Sequence, residues 1–102
     1  MDHRELAAEL FLSDCNCAQA VLEAFSDVTG LEKSFAAKLA SSFGGGMGRM
    51  REVCGAVSGM LMVAGLLYGY DDPGENDVNK KAHYRLVQNL AGQFREKIGS
   101  II

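Results

Sequence analysis

The residues in this chain best suited to chemistry lie around a cysteine at the head of a long uncharged run, behind a glycine loop that carries two arginines. The stretch reads Gly44-Gly45-Gly46-Met47-Gly48-Arg49-Met50-Arg51-Glu52-Val53-Cys54-Gly55-Ala56-Val57-Ser58-Gly59. Unpaired amides at the start of a helix, with Arg49 and Arg51 nearby, would favour the ionised sulfur of Cys54 and make it a nucleophile. The loop Gly44, Gly45, Gly46 and Gly48 would let substrate or cofactor reach that sulfur, and Gly55 and Gly59, four apart, would let another helix approach closely.

Two further cysteines bear on this chemistry. Cys17 falls on the apolar stripe of a predicted helix with Val21 and Phe25, a position that also suits simple packing. If that helix and the one after Cys54 pack with these faces together, Cys17 and Cys54 can cycle between dithiol and disulfide, provided their α-carbons come within about 7 Å. Cys15 lies two residues from Cys17, about 200° away on a regular helix, so the two cannot easily share a metal or a disulfide.

Other site chemistries find less support. Zinc would need Cys15, His3 and His83 to complete a ligand set, without the usual spacing, and the C-x-x-C-H of a covalent haem is absent. The glycine loop lacks the terminal Gly-Lys-Ser/Thr of a phosphate-binding loop and follows a helix, not a strand. Met47, Met50, Met60 and Met62 are read as core fillers, and His83 as a surface or half-buried residue.

The elements that must position these residues are helical. Leu6, Ala7, Leu10 and Phe11 mark a short amphipathic helix; a second runs from about Cys15 to Asp27 and is closed by Gly30; a third follows Leu31, Phe35, Leu39 and Phe43. A fourth runs from about Glu52 to Tyr70, stopped by Asp71-Asp72-Pro73-Gly74. A long fifth extends from about Glu75 to Ile98 on Val78, Ala82, Tyr84, Leu86, Val87, Leu90, Ala91 and Phe94. These patterns predict an all-α bundle of about five helices, one domain over residues 1–102, around the glycine-containing apolar fourth helix.

Val53 to Tyr70 is uncharged for eighteen residues, about 27 Å as a helix, which is just long enough to cross a bilayer. Four glycines within it and amphipathic neighbours that need a partner in water favour a buried core helix. Pairs Gly55/Gly59 and Gly65/Gly69 would both offer close approach. With 102 residues, a formal charge of -3 and no basic block, nucleic acid is not an expected partner. Three cysteines and an opening Met1-Asp2-His3-Arg4-Glu5 without an apolar leader point to a reducing cytoplasm. A bundle this small, with so apolar a helix, is expected to bury more surface as a homodimer.

Three blocks, Asn16-Cys17-Ala18-Gln19-Ala20-Val21-Leu22-Glu23-Ala24-Phe25, Phe43-Gly44-Gly45-Gly46-Met47-Gly48 and Val53-Cys54-Gly55-Ala56-Val57-Ser58-Gly59, resemble the C-GCAxxG-C-C family of redox-active proteins. The resemblance covers nearly the whole chain. It implies a small helical protein with four characteristic cysteines, of which Cys17 and Cys54 match the first two, with Cys15 outside the pattern. The segment carrying the other two is expected beyond Ile102. The resemblance supports redox chemistry without giving a substrate or electron partner. Three functions follow as expectations: a thiol oxidoreductase with Cys54 as nucleophile and Cys17 as its resolving thiol; a metal or iron-sulfur module with Cys17 and Cys54 as ligands shared across a dimer; and a non-catalytic helical interaction domain.

Overall fold

Helix caps written into the sequence set most of the element boundaries in the computed structural model, which describes residues 2–70 and 76–102. Asp2 accepts the Glu5 amide and opens α1 (His3–Leu12). Asn16 opens α2 (Cys17–Ala24) through a reciprocal capping box: its Oδ1 accepts the Gln19 amide at 2.8 Å while its own amide donates to Gln19 Oε1 at 3.0 Å. The single turn α3 (Ser26–Thr29) stops at Gly30 in the left-handed region, as α4 (Lys33–Ala40) begins behind the capping carboxylate of Glu32. A 3-10 turn over Ser41–Phe43 leads into the short segment α5 (Gly44–Met47). Then come α6 (Gly55–Tyr68) and α7 (Asn76–Ile98). Among the described residues there is no strand, and the chain is an all-α bundle.

Several boundaries differ from the expected ones for physical reasons. The second helix starts at Cys17 and not Cys15, because the Asn16 cap fixes its first turn and leaves Cys15 in the preceding loop. It also breaks at Phe25, so that Ser26–Thr29 forms its own turn. The expected stop at Asp71-Asp72-Pro73-Gly74 lies outside the described residues. Among the described residues, no helix is long and apolar enough to cross a membrane.

Packing centres on α2 and α6. Helix α2 lies against α1, α4 and α6, with its most extensive contact on α6, while α7 packs mainly on α6. Ala18 and Leu22 of α2, Ala36 and Ala40 of α4 and Val63 of α6 form the buried core, edged by Phe25, Leu31, Phe43 and Met62. Helix α4 reverses the expected stripe. Ala36 and Ala40 are fully buried, whereas Phe35 and Leu39 remain 58% and 47% exposed. Small side chains on the inner face let α4 come close to α2, and that proximity turns the larger ones outward. Met47 and Met50 are likewise exposed rather than core-filling, while Met62 packs at the core edge.

Contact between α2 and α6 is nearly backbone to backbone. A methyl group added at Gly59 would stand 2.9 Å from Val21 Cβ and 3.0 Å from the Ala18 carbonyl oxygen. One at Gly55 would stand 3.1 Å from the Ala18 amide nitrogen and 3.2 Å from Cys17 Cβ. Gly65 has nothing within 4 Å of such a methyl, and at Gly69 the nearest atoms belong to Gly65 of the same helix, so this second pair does not serve the close approach. Gly59→Ala should therefore destabilise the fold by about 2 kcal/mol through overpacking. Gly65→Ala should stabilise it by about 0.5–1 kcal/mol through helix propensity. Urea denaturation of the two variants checks both signs.

Candidate functional site

Contacts between α2 and α6 advance in the same direction along both helices, from Gly55 on Cys17 and Ala18 to Gly59 on Ala18 and Val21. The two helices therefore begin at the same end of the molecule. Cys17 is the first residue of α2 and Cys54 is the N-cap of α6. Both thiols, half-buried and unbridged, line one cavity of about 400 Å³ together with Gly45, Gly46, Arg51, Glu52, Gly55 and Ile102. Two helix N-termini meeting at one cavity bring partial positive charge to it.

One wall of the cavity, which carries Gly45, Gly46 and Arg51, is a left-handed turn. From Gly45 to Arg49 every residue has positive φ, including Met47 and Arg49, and Arg51 does so again. The turn closes on itself through Arg49 N–H to Gly44 O (3.0 Å), Arg51 N–H to Gly45 O (3.3 Å) and Glu52 N–H to Gly46 O (3.1 Å). At Gly46, with φ +73, a Cβ would sit 2.9 Å from the Glu52 amide nitrogen, so glycine is required. Met47, Arg49 and Arg51 have no such freedom, and the left-handed region costs each about 1–2 kcal/mol. That strain lies at the rim of the thiol cavity and points Arg51 and Glu52 at its lining.

Of the residues singled out in the sequence, Cys17, Cys54, Gly45, Gly46, Arg51 and Gly55 come together in the cavity. Gly44, Gly48, Arg49 and Gly59 are not part of its lining. Gly44 sits on the Asn16 side chain, where a methyl would come within 2.6 Å of Nδ2. Arg49 packs its stem against Gly45. Gly59 serves the helix contact one turn further along α6.

Asn16, Gln19, Glu52 and Ile102 were not anticipated. Asn16 and Gln19 do more than cap α2: Asn16 Nδ2 donates to Ser41 O at 3.2 Å and Gln19 Nε2 to Ala37 O at 3.0 Å, tying the cysteine-bearing end of α2 to the end of α4. The Asn-x-x-Gln pattern at residues 16–19 signals this box in the sequence. Nothing in the local pattern signals Ile102, which arrives from the far end of the chain.

The thiols have distinct environments. Burial pushes the Cys17 thiol up from its ordinary value and the nearby Cys54 charge adds to this, while its own backbone amide pulls the other way. Cys15 stands apart from the cavity, and its thiol donates to Glu23 Oε2 at 3.3 Å. Burial, then the hydrogen bond and charge of Glu23, raise Cys15 as well. His3 is also elsewhere, 2.8 Å from Asp27 and stacked on Phe25. His83 is half-buried on α7, edge-on to Tyr70. Among the described residues no group of three or more His, Cys, Asp or Glu side chains is arranged to hold a metal ion. The two cavity thiols alone supply half of a four-ligand zinc or iron-sulfur set.

Residues 15–102 match the model of the family described as "Putative redox-active protein (C_GCAxxG_C_C)", and the chain belongs to that family. No curated protein and no solved structure matches the chain.

A raised pKa keeps Cys17 protonated at neutral pH, so its alkylation should rise only above the pH range of a free thiol. In Cys54→Ser one of the two causes disappears, and the midpoint should move down while burial still holds it above the ordinary value. Iodoacetamide rates across pH, read by peptide mass spectrometry, give the sign. The same experiment on Glu23→Gln should accelerate Cys15 and leave Cys17 unchanged.

Proposed function

We propose that this member of the C_GCAxxG_C_C family is a thiol oxidoreductase in which Cys54 is the nucleophile and Cys17 resolves the intermediate. The observation that carries this reading is the opening of both thiols, from the N-terminal ends of α2 and α6, into one cavity. Cys54 precedes the first turn of α6 and makes no side-chain cap hydrogen bond, so its sulfur is free to face the cavity beside Arg51. Cys17 is held protonated by burial and by the Cys54 charge, which suits the thiol that acts second.

The reaction is a two-electron exchange with a disulfide. The Cys54 thiolate attacks one sulfur of a substrate disulfide, forms a mixed disulfide and expels the first thiolate. Cys17, on losing its proton, attacks Cys54 Sγ, closes the Cys17–Cys54 disulfide and expels the second. The pair has then given two electrons to the substrate, which leaves as two thiols after taking the proton of Cys17 and, from solvent, the one Cys54 had released on ionising. Reduction by an external dithiol reverses both steps. Such a cycle requires a reducing compartment, so the cytoplasm is the natural setting. Exposed apolar side chains such as Phe35 and Leu39 support the association of two copies into a homodimer.

Mass spectrometry of single-cysteine variants tests the assignment of roles. With a small disulfide, Cys17→Ser should stall as a mixed disulfide on Cys54, whereas Cys54→Ser should remain reduced at Cys17. Equal mixed-disulfide formation at Cys17 in the Cys54→Ser protein would overturn the order of attack.

A further inference from the structure

Helices α1 and α7 each use one face for the fold and leave the other uncovered. Helix α1 packs on α2, and α7 mainly on α6. Leu6, Ala7 and Leu10 are half-buried on the inner face of α1, as are Leu86, Val87, Leu90 and Phe94 on that of α7. The reverse face of α1 carries Glu5, Ala8, Glu9 and Leu12, all exposed, and that of α7 carries Val78, Lys81, Ala82 and Arg85, also exposed. Both sets follow the same i, i+3, i+4, i+7 spacing, so each forms a single stripe along its helix. Leu12 and Val78 remain 82% and 78% exposed, so the two stripes do not cover one another within the chain.

The stripes are opposite in charge. Residues 2–14 carry Asp2, Glu5, Glu9 and Asp14 against Arg4, a net charge of -3, while α7 carries Lys80, Lys81, Arg85, Arg95 and Lys97 against Asp77 and Glu96, a net +3. Among the described residues, Glu5 and Glu9 form no ion pair. Laid antiparallel, the stripes are complementary at every step: Leu12 meets Val78, Glu9 meets Lys81, Ala8 meets Ala82 and Glu5 meets Arg85. Laid parallel, they would set Glu5 on Val78 and Leu12 on Arg85. The two alanines at the middle of the antiparallel pairing let the helix axes come close. Surface area points the same way. The chain exposes 6858 Å², whereas a folded monomer of 11.0 kDa exposes about 5600 Å². The difference is larger than the roughly 800 Å² that each partner buries in a stable interface.

Resting on the reading that the chain associates with a second copy of itself, we infer that the pairing surface is the outer stripe of α1 laid antiparallel on the outer stripe of α7 of the other copy. The contact is reciprocal, so a two-fold dimer contains it twice. Charge complementarity sets the partner and the register, and the small apolar residues between the charges supply the close fit. None of the stripe residues lines the thiol cavity, so pairing and thiol chemistry can be tested apart.

Sedimentation equilibrium of the full chain over a range of concentrations reads the dissociation constant of the dimer. Glu9→Lys and Lys81→Glu should each weaken it at least about tenfold by setting like charges together. Helix content by circular dichroism should not change, because both sites are exposed. An equimolar mixture of the two variants should recover the native constant, since each of the two contacts then joins opposite charges again. A native dimer that neither variant weakens, or a mixture no tighter than its components, would overturn the assigned surface. Loss of the dimer in Leu39→Lys, with both charge variants still dimeric, would move the interface to α4. Failure of the association itself has a different signature: the native chain stays monomeric at every concentration.

Discussion

Everything at this site depends on how closely α6 can lie against α2. Gly55 and Gly59 remove the side chains that would hold the helices apart, and Ala18 and Val21 fill the space they leave. Because the contact runs in the same direction along both helices, their N-termini sit together. Two positive helix ends side by side repel each other, and an anion between them relieves that repulsion. Cys17 and Cys54 stand at these two helix ends. Packing geometry and thiol chemistry are therefore one feature of the fold: separating the helices would both uncover the core at Ala18 and part the two sulfurs.

Around that contact the least regular segments of the molecule line an open cavity. The left-handed turn forms one wall at the expense of strain at Met47, Arg49 and Arg51, and it brings Arg51 and Glu52 to the lining. The capping box of Asn16 and Gln19 fixes the start of α2 and fastens it to Ala37 and Ser41. Ile101 accepts the Cys54 amide at 2.7 Å, and Ile102 joins the lining. Cys15 is kept out of this space and tied to the nearly buried carboxylate of Glu23, so the third thiol is chemically separate from the other two.

Much of this was legible in the residues. The all-α class, the approximate extents of α6 and α7 and the close approach at Gly55 and Gly59 follow from periodicity and small-residue spacing, whereas Cys17 and Cys54 could be expected at one cavity only on the condition that their helices pack face to face. The inner face of α4 was not, because hydrophobicity ranks Phe35 and Leu39 above Ala36 and Ala40, whereas packing distance decides which face turns inward. The cluster from Gly44 to Gly48 announces a helix stop, but its left-handed course includes Met47 and Arg49, which by themselves avoid that conformation; the turn is held by its own hydrogen bonds back to Gly44, Gly45 and Gly46. Ile101 carries no local signal, since its hydrogen bond is to the amide of Cys54, distant in sequence.

The central claim is that Cys17 and Cys54 form one redox couple. Alkylation-trapped peptide mass spectrometry of protein equilibrated anaerobically across thiol/disulfide buffers tests it most directly, because each cysteine is read separately. The account predicts a reversible intramolecular Cys17–Cys54 linkage with a midpoint on the order of -200 to -300 mV, and Cys15 unlinked throughout. Three thiols that stay unlinked across the whole series would contradict it.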